Sequence, residues 1–202
     1  MNNIYDNCII GAGASGLVAA IESSRRGLSC VVVDKNKKPG RKLYATGNGR
    51  CNITNDTWDE SSYYENDFVD LVFEGLYKET GLRQRSFITD YFKKLGIETV
   101  NKDGYIYPAS LQASSVIWAL SDALNCLNVH SVYRATCTRI ERISLLDAVE
   151  NRNSISDNLL DNPMLYKVYL DIAHENEITK SYICARNLII ATGGLSGDRL
   201  GA

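Results

Sequence analysis

No apolar run in this 202-residue chain approaches the roughly 18 residues that a membrane-spanning helix needs, so no helical membrane anchor is expected. The opening Met1-Asn2-Asn3-Ile4-Tyr5-Asp6 has no basic region and no signal-peptide core. Neither sign of charge is in excess: 22 Lys plus Arg against 24 Asp plus Glu leave a formal net charge of −2. Such a balance provides no polybasic footprint, so neither nucleic acid nor a membrane surface is expected as a partner. Six cysteines stand at 8, 30, 51, 126, 137 and 184, none as C-x-x-C and none at zinc spacing from a histidine, so no metal site is expected. Without a secretion signal they read as reduced thiols of a cytoplasmic protein, with Cys8, Cys30, Cys137 and Cys184 acting as small buried residues. There are only 2 histidines, His130 and His174; neither is taken as a catalytic base, and no catalytic residue is assigned. Repeats and low-complexity tracts are lacking too, and the 45% hydrophobic content excludes a disordered chain.

What is present begins with a short buried strand at Ile4 and Cys8-Ile9-Ile10. Gly11-Ala12-Gly13-Ala14-Ser15-Gly16 follows, then a helix from Leu17 that closes on Arg25, Arg26 and Gly27. Leu28 to Asp34 reads as a second strand, and its Cys30-Val31-Val32-Val33 is apolar on both faces, as the middle of a parallel sheet requires. The glycine pattern alone is weak, but its place between strand and helix makes it a phosphate-binding turn. The first glycine allows the tight turn, the second lets backbone approach a pyrophosphate, and the third lets helix and strand pack closely. A helix of about 13 residues and a strand of six or seven both span roughly 20 Å, which returns Asp34 to the sheet edge that carries Gly11. A carboxylate there grips both hydroxyls of an adenosine ribose and repels a 2′-phosphate, so NADP is disfavoured at this site.

Downstream, residues 35 to 66 read as irregular. Helices are expected over Asp67–Glu79, with an apolar stripe at 68, 69, 72, 73 and 76, over Phe87–Leu95 with Ser86 as cap, and over Gln112–Cys126. A hairpin is expected at Ile97–Val100 and Tyr105–Tyr107, one strand from Val129 to Ile143, a surface loop over 144–164, and strands at Lys167–Ala173 and Ser181–Ala191, the last with a buried end at Leu188-Ile189-Ile190-Ala191. The fold class is therefore α/β: a Rossmann-like FAD/NAD(P)-binding domain of parallel sheet and helices with a β meander, interrupted by a mostly helical insertion at about 56–127. Two features favour FAD over NAD. The strand ending in the Ala191-Thr192-Gly193-Gly194 turn, arriving after a β meander, resembles the second signature of two-dinucleotide-binding-domain flavoproteins, which implies that its backbone passes the cofactor, and the 40–55 stretch combines cations, glycines and amides suited to a polar ring system. Tyr63, Tyr64, Tyr105 and Tyr107 read as packing residues, while Lys35, Lys37, Lys38, Arg41 and Lys42 face the cofactor or water.

The run Ile9 to Gly16, then Asp34-Lys35-Asn36, Gly40-Arg41-Lys42, Thr46-Gly47-Asn48-Gly49-Arg50-Cys51-Asn52 and Thr54-Asn55 resembles the N-terminal half of the aminoacetone-oxidase-like, or bile-acid-reductase-like, bacterial flavoprotein family. Asp103 to Ser110, Gln112 to Val116 and Ala191 to Gly194 resemble its later segments. The resemblance implies FAD held non-covalently. Gly11, Gly13, Ser15 and Gly16 hold the pyrophosphate, Asp34 the adenosine ribose, and Arg41 and Lys42 the phosphate side, with Ala14 and Lys35 also among the cofactor-binding residues. Thr46, Gly47, Asn48, Gly49, Arg50, Cys51 and Asn52 lie along the flavin, the backbone of Cys137 meets the adenine, and Ala191, Thr192, Gly193 and Gly194 pass the cofactor. Asp34 stands where the family more often has Glu, and Tyr105 where Arg is common. Arg50 and the backbone at Asn48 and Gly49 are candidates to stabilise reduced flavin, while Cys51, without a second cysteine beside it, is expected to pack. NAD(P)H as electron donor and a small-molecule substrate complete the expectation. The chain is expected to be a truncated N-terminal half without its inserted substrate domain and return segment. The competing readings are an NAD-binding dehydrogenase or nucleotide-sensing module, and a non-catalytic flavoprotein remnant.

Overall fold

The computed structural model describes residues 4–57, 66–148, 164–175 and 177–194. They divide into two compact units, one of residues 1–41 and 120–202, the other of residues 42–119.

The first unit opens with β1 (Ile4–Ile10), α1 (Ala14–Arg25) and β2 (Cys30–Asp34). The strands are parallel, with Cys8 opposite Val31 and Ile10 opposite Val33. Cys8, Ile9, Val31, Val32 and Val33 have no exposed surface, as an apolar run on both strand faces demands. Burying each such aliphatic side chain contributes about 1.5–3 kcal/mol. α1 turns Gly16, Leu17, Ala20 and Ile21 inward, a stripe of small and branched residues at helical spacing. Arg25 and Arg26 both pair with Glu22 on its outer face.

The expected single strand over 129–143 is two: β6 (His130–Tyr133) and β7 (Ala135–Ser144). Arg134 separates them at φ +55°, its N–H donating to the Asn36 carbonyl at 2.9 Å and its own carbonyl accepting from Ala173 N–H at 2.8 Å. The backbone reversal sends the chain from a parallel edge beside β2 into the meander, which continues through β8 (Met164–Ala173) and β9 (Ile178–Ile190). Sheet order is β6-β2-β1-β9-β8-β7. β9 joins the two halves: Ala185 pairs with Tyr166 in the meander and with Tyr5 in β1. Cys8, Ile10, Val31 and Val33 pack with Ala135, Val168, Leu170 and Ala185 in one core. The end of β9 is less buried than expected, with Ile190 59% exposed. Beyond Ala185 it has left β8 and pairs only with β1 among the described residues. The expected loop at 144–164 begins as a short helix, α6 (Leu145–Ala148), and the rest lies outside the described residues.

In the second unit the stretch expected to be irregular holds structure. α2 (Arg41–Ala45) leads into a 3₁₀ turn at Thr46–Gly49 and a two-residue strand, β3 (Thr54–Asn55). α3 (Asn66–Thr80) and α4 (Gln84–Lys94) follow, then β4 (Thr99–Lys102), β5 (Tyr105–Pro108) and α5 (Ala113–Cys126), whose last turns belong to the first unit. The unit is thus mostly helical with a three-stranded antiparallel sheet, β3-β5-β4, and spans 42–119 where an insertion at about 56–127 was expected. The hairpin turns through Asp103 (φ +53°) and Gly104 (φ +86°), the left-handed pair a two-residue loop needs. Asp56 pairs with both Arg85 and Asn101, tying β3 to α4 and β4. Ser86 is not the cap of α4: Arg83 holds that position, without a side-chain hydrogen bond, and Ser86 lies inside the helix. The α3 stripe is not buried either, since Phe68 is 67% exposed and Val72 42%, while Val69, Phe73 and Leu76 are half-buried. Tyr63 and Tyr64 lie outside the described residues.

Candidate functional site

The glycine turn of the first unit leaves β1 at Gly11, whose φ of +111° is closed to a side chain. Its N–H donates to the Val33 carbonyl at 2.8 Å, which locks the turn to β2. A methyl on Gly11 would meet the carbonyl carbon of Ala191 at 2.6 Å, with the oxygen closer still. One on Gly16 would meet the Gly11 carbonyl carbon at 3.1 Å and the Ala191 Cβ at 3.2 Å. These two glycines are therefore required by the protein's own packing. Gly13 differs. Its backbone is extended (φ −83°, ψ −172°), and a methyl there meets nothing within 4 Å among the described residues. The packing of the described residues does not require that glycine.

Gly13 is the N-cap of α1 and makes no side-chain cap. Ala14 and Ser15 are exposed, and Gly16 is buried at the back of the turn. The opening N–H groups of the helix, with about half a positive charge, thus lie beside open space at Gly13. A diphosphate fits this geometry and charge.

Asp34, at the end of β2, points back into the turn. Its Oδ2 accepts from Ala12 N–H at 2.6 Å, and its Oδ1 from the N–H and the side-chain amide of Asn36 at 2.7 and 2.8 Å. An ionised carboxylate has about four acceptor positions, so this one keeps capacity for a sugar hydroxyl. Asn36 is also held by Arg41, whose Nη1 donates to Asn36 Oδ1 at 3.2 Å. Gly40 N–H donates to the Ala12 carbonyl at 2.8 Å, returning the loop to the turn. Tyr133 pairs with Asp34 across the sheet. Burial pushes its phenol pKa up, a hydrogen bond with Ser131 eases the rise, and the Asp34 charge adds to it, so Tyr133 stays a neutral phenol. Lys35 and Lys42 are exposed.

The Ala191–Gly194 turn meets the first one: Ala191 N–H donates to the Ile10 carbonyl at 2.8 Å, and its own carbonyl abuts Gly11. Thr192, Gly193 and Gly194 are exposed. Cys137 sits at a bulge where the β7–β8 register shifts, its half-buried side chain packed against the core and its thiol pKa raised by burial. His130 is a packing residue, stacked on Tyr5 with Nδ1 at 2.6 Å from the phenol oxygen. Among the described residues no group of acids, thiols and imidazoles could hold a metal ion, and no helix is long and apolar enough to cross a membrane.

In the second unit, Thr46 to Asn52 form a strained left-handed turn. Gly47 (φ +56°) and Asn48 (φ +52°) are followed by Gly49 (φ +82°) and Cys51 (φ +62°). Non-glycine residues adopt such backbone at a cost of about 1 kcal/mol or more, so the surroundings must impose it. Cys51 N–H donates to the Thr46 carbonyl at 3.1 Å, Arg50 N–H to the Gly47 carbonyl at 3.2 Å, and Ile53 N–H to the Ile106 carbonyl at 2.8 Å. The ring of Tyr107 lies against Gly47, and the Arg50 guanidinium stands 5.9 Å above it. Cys51 is buried, which pushes its thiol pKa up despite a hydrogen bond with Thr46, so it is a packed thiol rather than a nucleophile. Asn48, Gly49, Arg50 and Asn52 are exposed. Sequence reading missed two of these contacts. Tyr107 was expected only to pack, and Asn36, quoted only as part of Asp34-Lys35-Asn36, was given no role of its own; its partners lie at 34, 41 and 134.

A family model described as the HI0933-like protein Rossmann domain matches residues 5–160. Among curated proteins, the 3-dehydro-bile acid delta(4,6)-reductase of Clostridium scindens is 39% identical over 142 residues, which cover 68% of this chain and 32% of that protein. The ribosomal RNA dihydrouridine synthase of Haemophilus influenzae is 28% identical over 217 residues, covering 100% of this chain and 43% of that one. The chain thus spans less than half the length of these relatives. Among solved structures, THI4 of Thermovibrio ammonificans superposes with a TM-score of 0.56 over 94% of this chain and 57% of that chain, at 11% identity, a likeness of fold.

Proposed function

The chain belongs to the HI0933-like Rossmann-domain family of FAD-dependent oxidoreductases, and from that membership we propose that it is the FAD-binding N-terminal portion of a flavin enzyme that reduces a small organic substrate with NAD(P)H as electron donor. The observation that carries the proposal is Gly13: the position where backbone must approach a dinucleotide diphosphate is the one glycine of the turn whose missing side chain the protein's own packing does not require.

FAD supplies hydride transfer when bound. The residues of the first unit do the holding. The α1 N–H groups at Ala14 to Gly16 and the guanidinium of Arg41 offset the diphosphate charge, and Asp34 accepts from the ribose hydroxyls. Ala191 to Gly194 and the Cys137 backbone give close-approach and edge contacts. Thr46 to Asn52 are assigned to the ring end by likeness to the family, with the Arg50 cation as the group that favours a reduced, anionic flavin. The finer choice within the family goes to the bile-acid-reductase-like branch over the aminoacetone-oxidase-like one, supported by the 39% identity of the Clostridium scindens relative. A small-molecule substrate is favoured over RNA because the net charge of −2 provides no phosphate-binding excess.

Thermal melts with FAD, NAD and NADP added separately test the reading. A ligand at 100 times its Kd stabilises by about 2.7 kcal/mol, which raises Tm by about 5–10 °C in a domain of this size. FAD is expected to give that shift and NADP none. A shift with NAD and none with FAD transfers the site to a nicotinamide cofactor and refutes the proposal.

A further inference from the structure

Asn36 makes four hydrogen bonds at the nucleotide mouth, and the sequence alone assigns it no role. Its N–H and side-chain amide both donate to Asp34 Oδ1, at 2.7 and 2.8 Å. Its Oδ1 accepts from Arg41 Nη1 at 3.2 Å, and its carbonyl accepts from Arg134 N–H at 2.9 Å. One short side chain therefore ties the acid at the end of β2 to the cation beginning α2. Its backbone is pinned to the reversal between β6 and β7, so neither partner can move without it.

The two partners have opposite needs. Asp34 must hold one carboxylate rotamer if its remaining acceptor positions are to face a sugar. The amide of Asn36 donates to Oδ1 and leaves Oδ2 with Ala12 N–H, which fixes that rotamer. Arg41 is exposed, and a long exposed cation loses rotamer freedom when it grips a phosphate. The Asn36 oxygen restrains it beforehand without neutralising it, as an aspartate there would. Arg41 and Asp34 have no direct bond with each other in the structure; the neutral amide stands between them and keeps both charges available.

We propose that Asn36 is the positioning residue of the adenosine diphosphate subsite, orienting Asp34 toward the ribose and Arg41 toward the diphosphate through its two side-chain atoms. This rests on the function proposed above. The selectivity is for a nucleoside diphosphate: Asn36 acts on adenosine through Asp34 alone and on ADP through Asp34 and Arg41 together, so its removal weakens ADP more than adenosine, which lacks the phosphates.

Isothermal titration of the purified protein with FAD, ADP and adenosine tests it, using Asn36→Ala, Arg41→Ala, the double variant and Asn36→Asp, with the Tm of each measured without ligand. Asn36→Ala and Arg41→Ala are each expected to weaken ADP about tenfold, and the double variant well short of the roughly hundredfold that independent residues give, because coupled residues do not add. Adenosine affinity should change less than threefold in Arg41→Ala, on the order of what distant or uninvolved groups produce. Asn36→Asp keeps an acceptor for Arg41 but sets a second carboxylate against Asp34, so it should lose adenosine and ADP affinity alike. A merely structural Asn36 lowers Tm and weakens all ligands equally, with an additive double variant, and that result overturns the inference while the function stands. A wild-type protein that is folded and binds neither FAD nor ADP overturns both. Where Asn36→Ala fails to fold, Asn36→Asp and Arg41→Ala decide: ADP affinity unchanged in both overturns the inference.

Discussion

Gly13→Ala and Gly16→Ala put the same methyl on the same turn with opposite expected consequences. At Gly13 the backbone is extended and the new Cβ meets no atom within 4 Å among the described residues. Reduced freedom of the unfolded chain contributes about 0.4–1 kcal/mol of stability, and the weaker N-cap preference of alanine offsets most of it, so the net change is within about 0.5 kcal/mol. Tm should move by less than about 2 °C. The same methyl stands where the diphosphate must lie. Displacing the anion costs at least two charge-assisted hydrogen bonds of about 1.5 kcal/mol each, and about 3 kcal/mol is roughly a hundredfold in Kd. At Gly16 the methyl meets the Gly11 carbonyl carbon at 3.1 Å and the Ala191 Cβ at 3.2 Å, inside close-packed backbone that cannot swing aside. Overpacking of that kind costs about 3 kcal/mol, or about 6–12 °C of Tm. Differential scanning fluorimetry and FAD titration on both variants read the two effects separately. A Gly13→Ala protein that melts as early as Gly16→Ala, or that binds FAD like the wild type, refutes the reasoning that this glycine is kept for a ligand.

Asp34→Ala removes the acceptor of Ala12 N–H and of two Asn36 donors, so it should destabilise the protein by about 1–3 kcal/mol and also weaken ADP; a variant that melts normally and binds ADP normally contradicts the geometry. Gly47→Ala sets a methyl at 3.0 Å from the Tyr107 ring and 3.1 Å from Asn52 N at a left-handed backbone, and is expected to cost about 1–3 kcal/mol, which pairing with Tyr107→Ala relieves only in part; a neutral Gly47→Ala in urea unfolding refutes it. Native-state alkylation at pH 8 should label exposed Cys126 first and leave Cys8, Cys30, Cys51 and Cys184 protected, as peptide mass mapping can read; a Cys51 that labels as fast as Cys126 restores it as a reactive thiol. Burial, with a smaller effect of Cys137, raises the Cys8 thiol from 9.0 to about 12. The folded state therefore disfavours the thiolate. The stability this contributes is complete below about pH 9 and lost as pH rises toward 12, so Cys8→Ala should make the alkaline fall in stability shallower, measured by urea unfolding from pH 8 to 11.

The βαβ unit was legible because its signals are local. An apolar run, glycines at 11, 13 and 16, and an acid at 34 each act on their own few residues, and strand and helix lengths bring them together. What escaped the sequence depends on distant partners. The division of 129–143 into β6 and β7 turns on Arg134, an arginine in left-handed backbone that Asn36 and Ala173 hold there; residue type gives no warning. The 3₁₀ turn at Thr46–Gly49 was visible as glycines and amides, but its support by Tyr107 crosses 60 positions of chain. The α3 stripe shows the converse failure, since helical periodicity at Phe68 and Val72 marks an apolar face without saying whether anything covers it. Within the glycine turn, the sequence pattern assigns the first and third glycines to turn and packing and the second to backbone approach, and the structure adds the neighbours: Gly11 and Gly16 abut Ala191 and each other, while a methyl on Gly13 meets nothing within 4 Å among the described residues.

The claim that most needs a direct measurement is that a diphosphate rests on the start of α1. Titrating ADP into ¹⁵N-labelled protein and following backbone amide resonances reads that site alone. The largest shifts are expected at Gly13, Ala14, Ser15 and Gly16, with Asp34 and Asn36 next. Saturable ADP binding that leaves those four amides unmoved, or a folded protein whose spectrum ADP does not change, would contradict it.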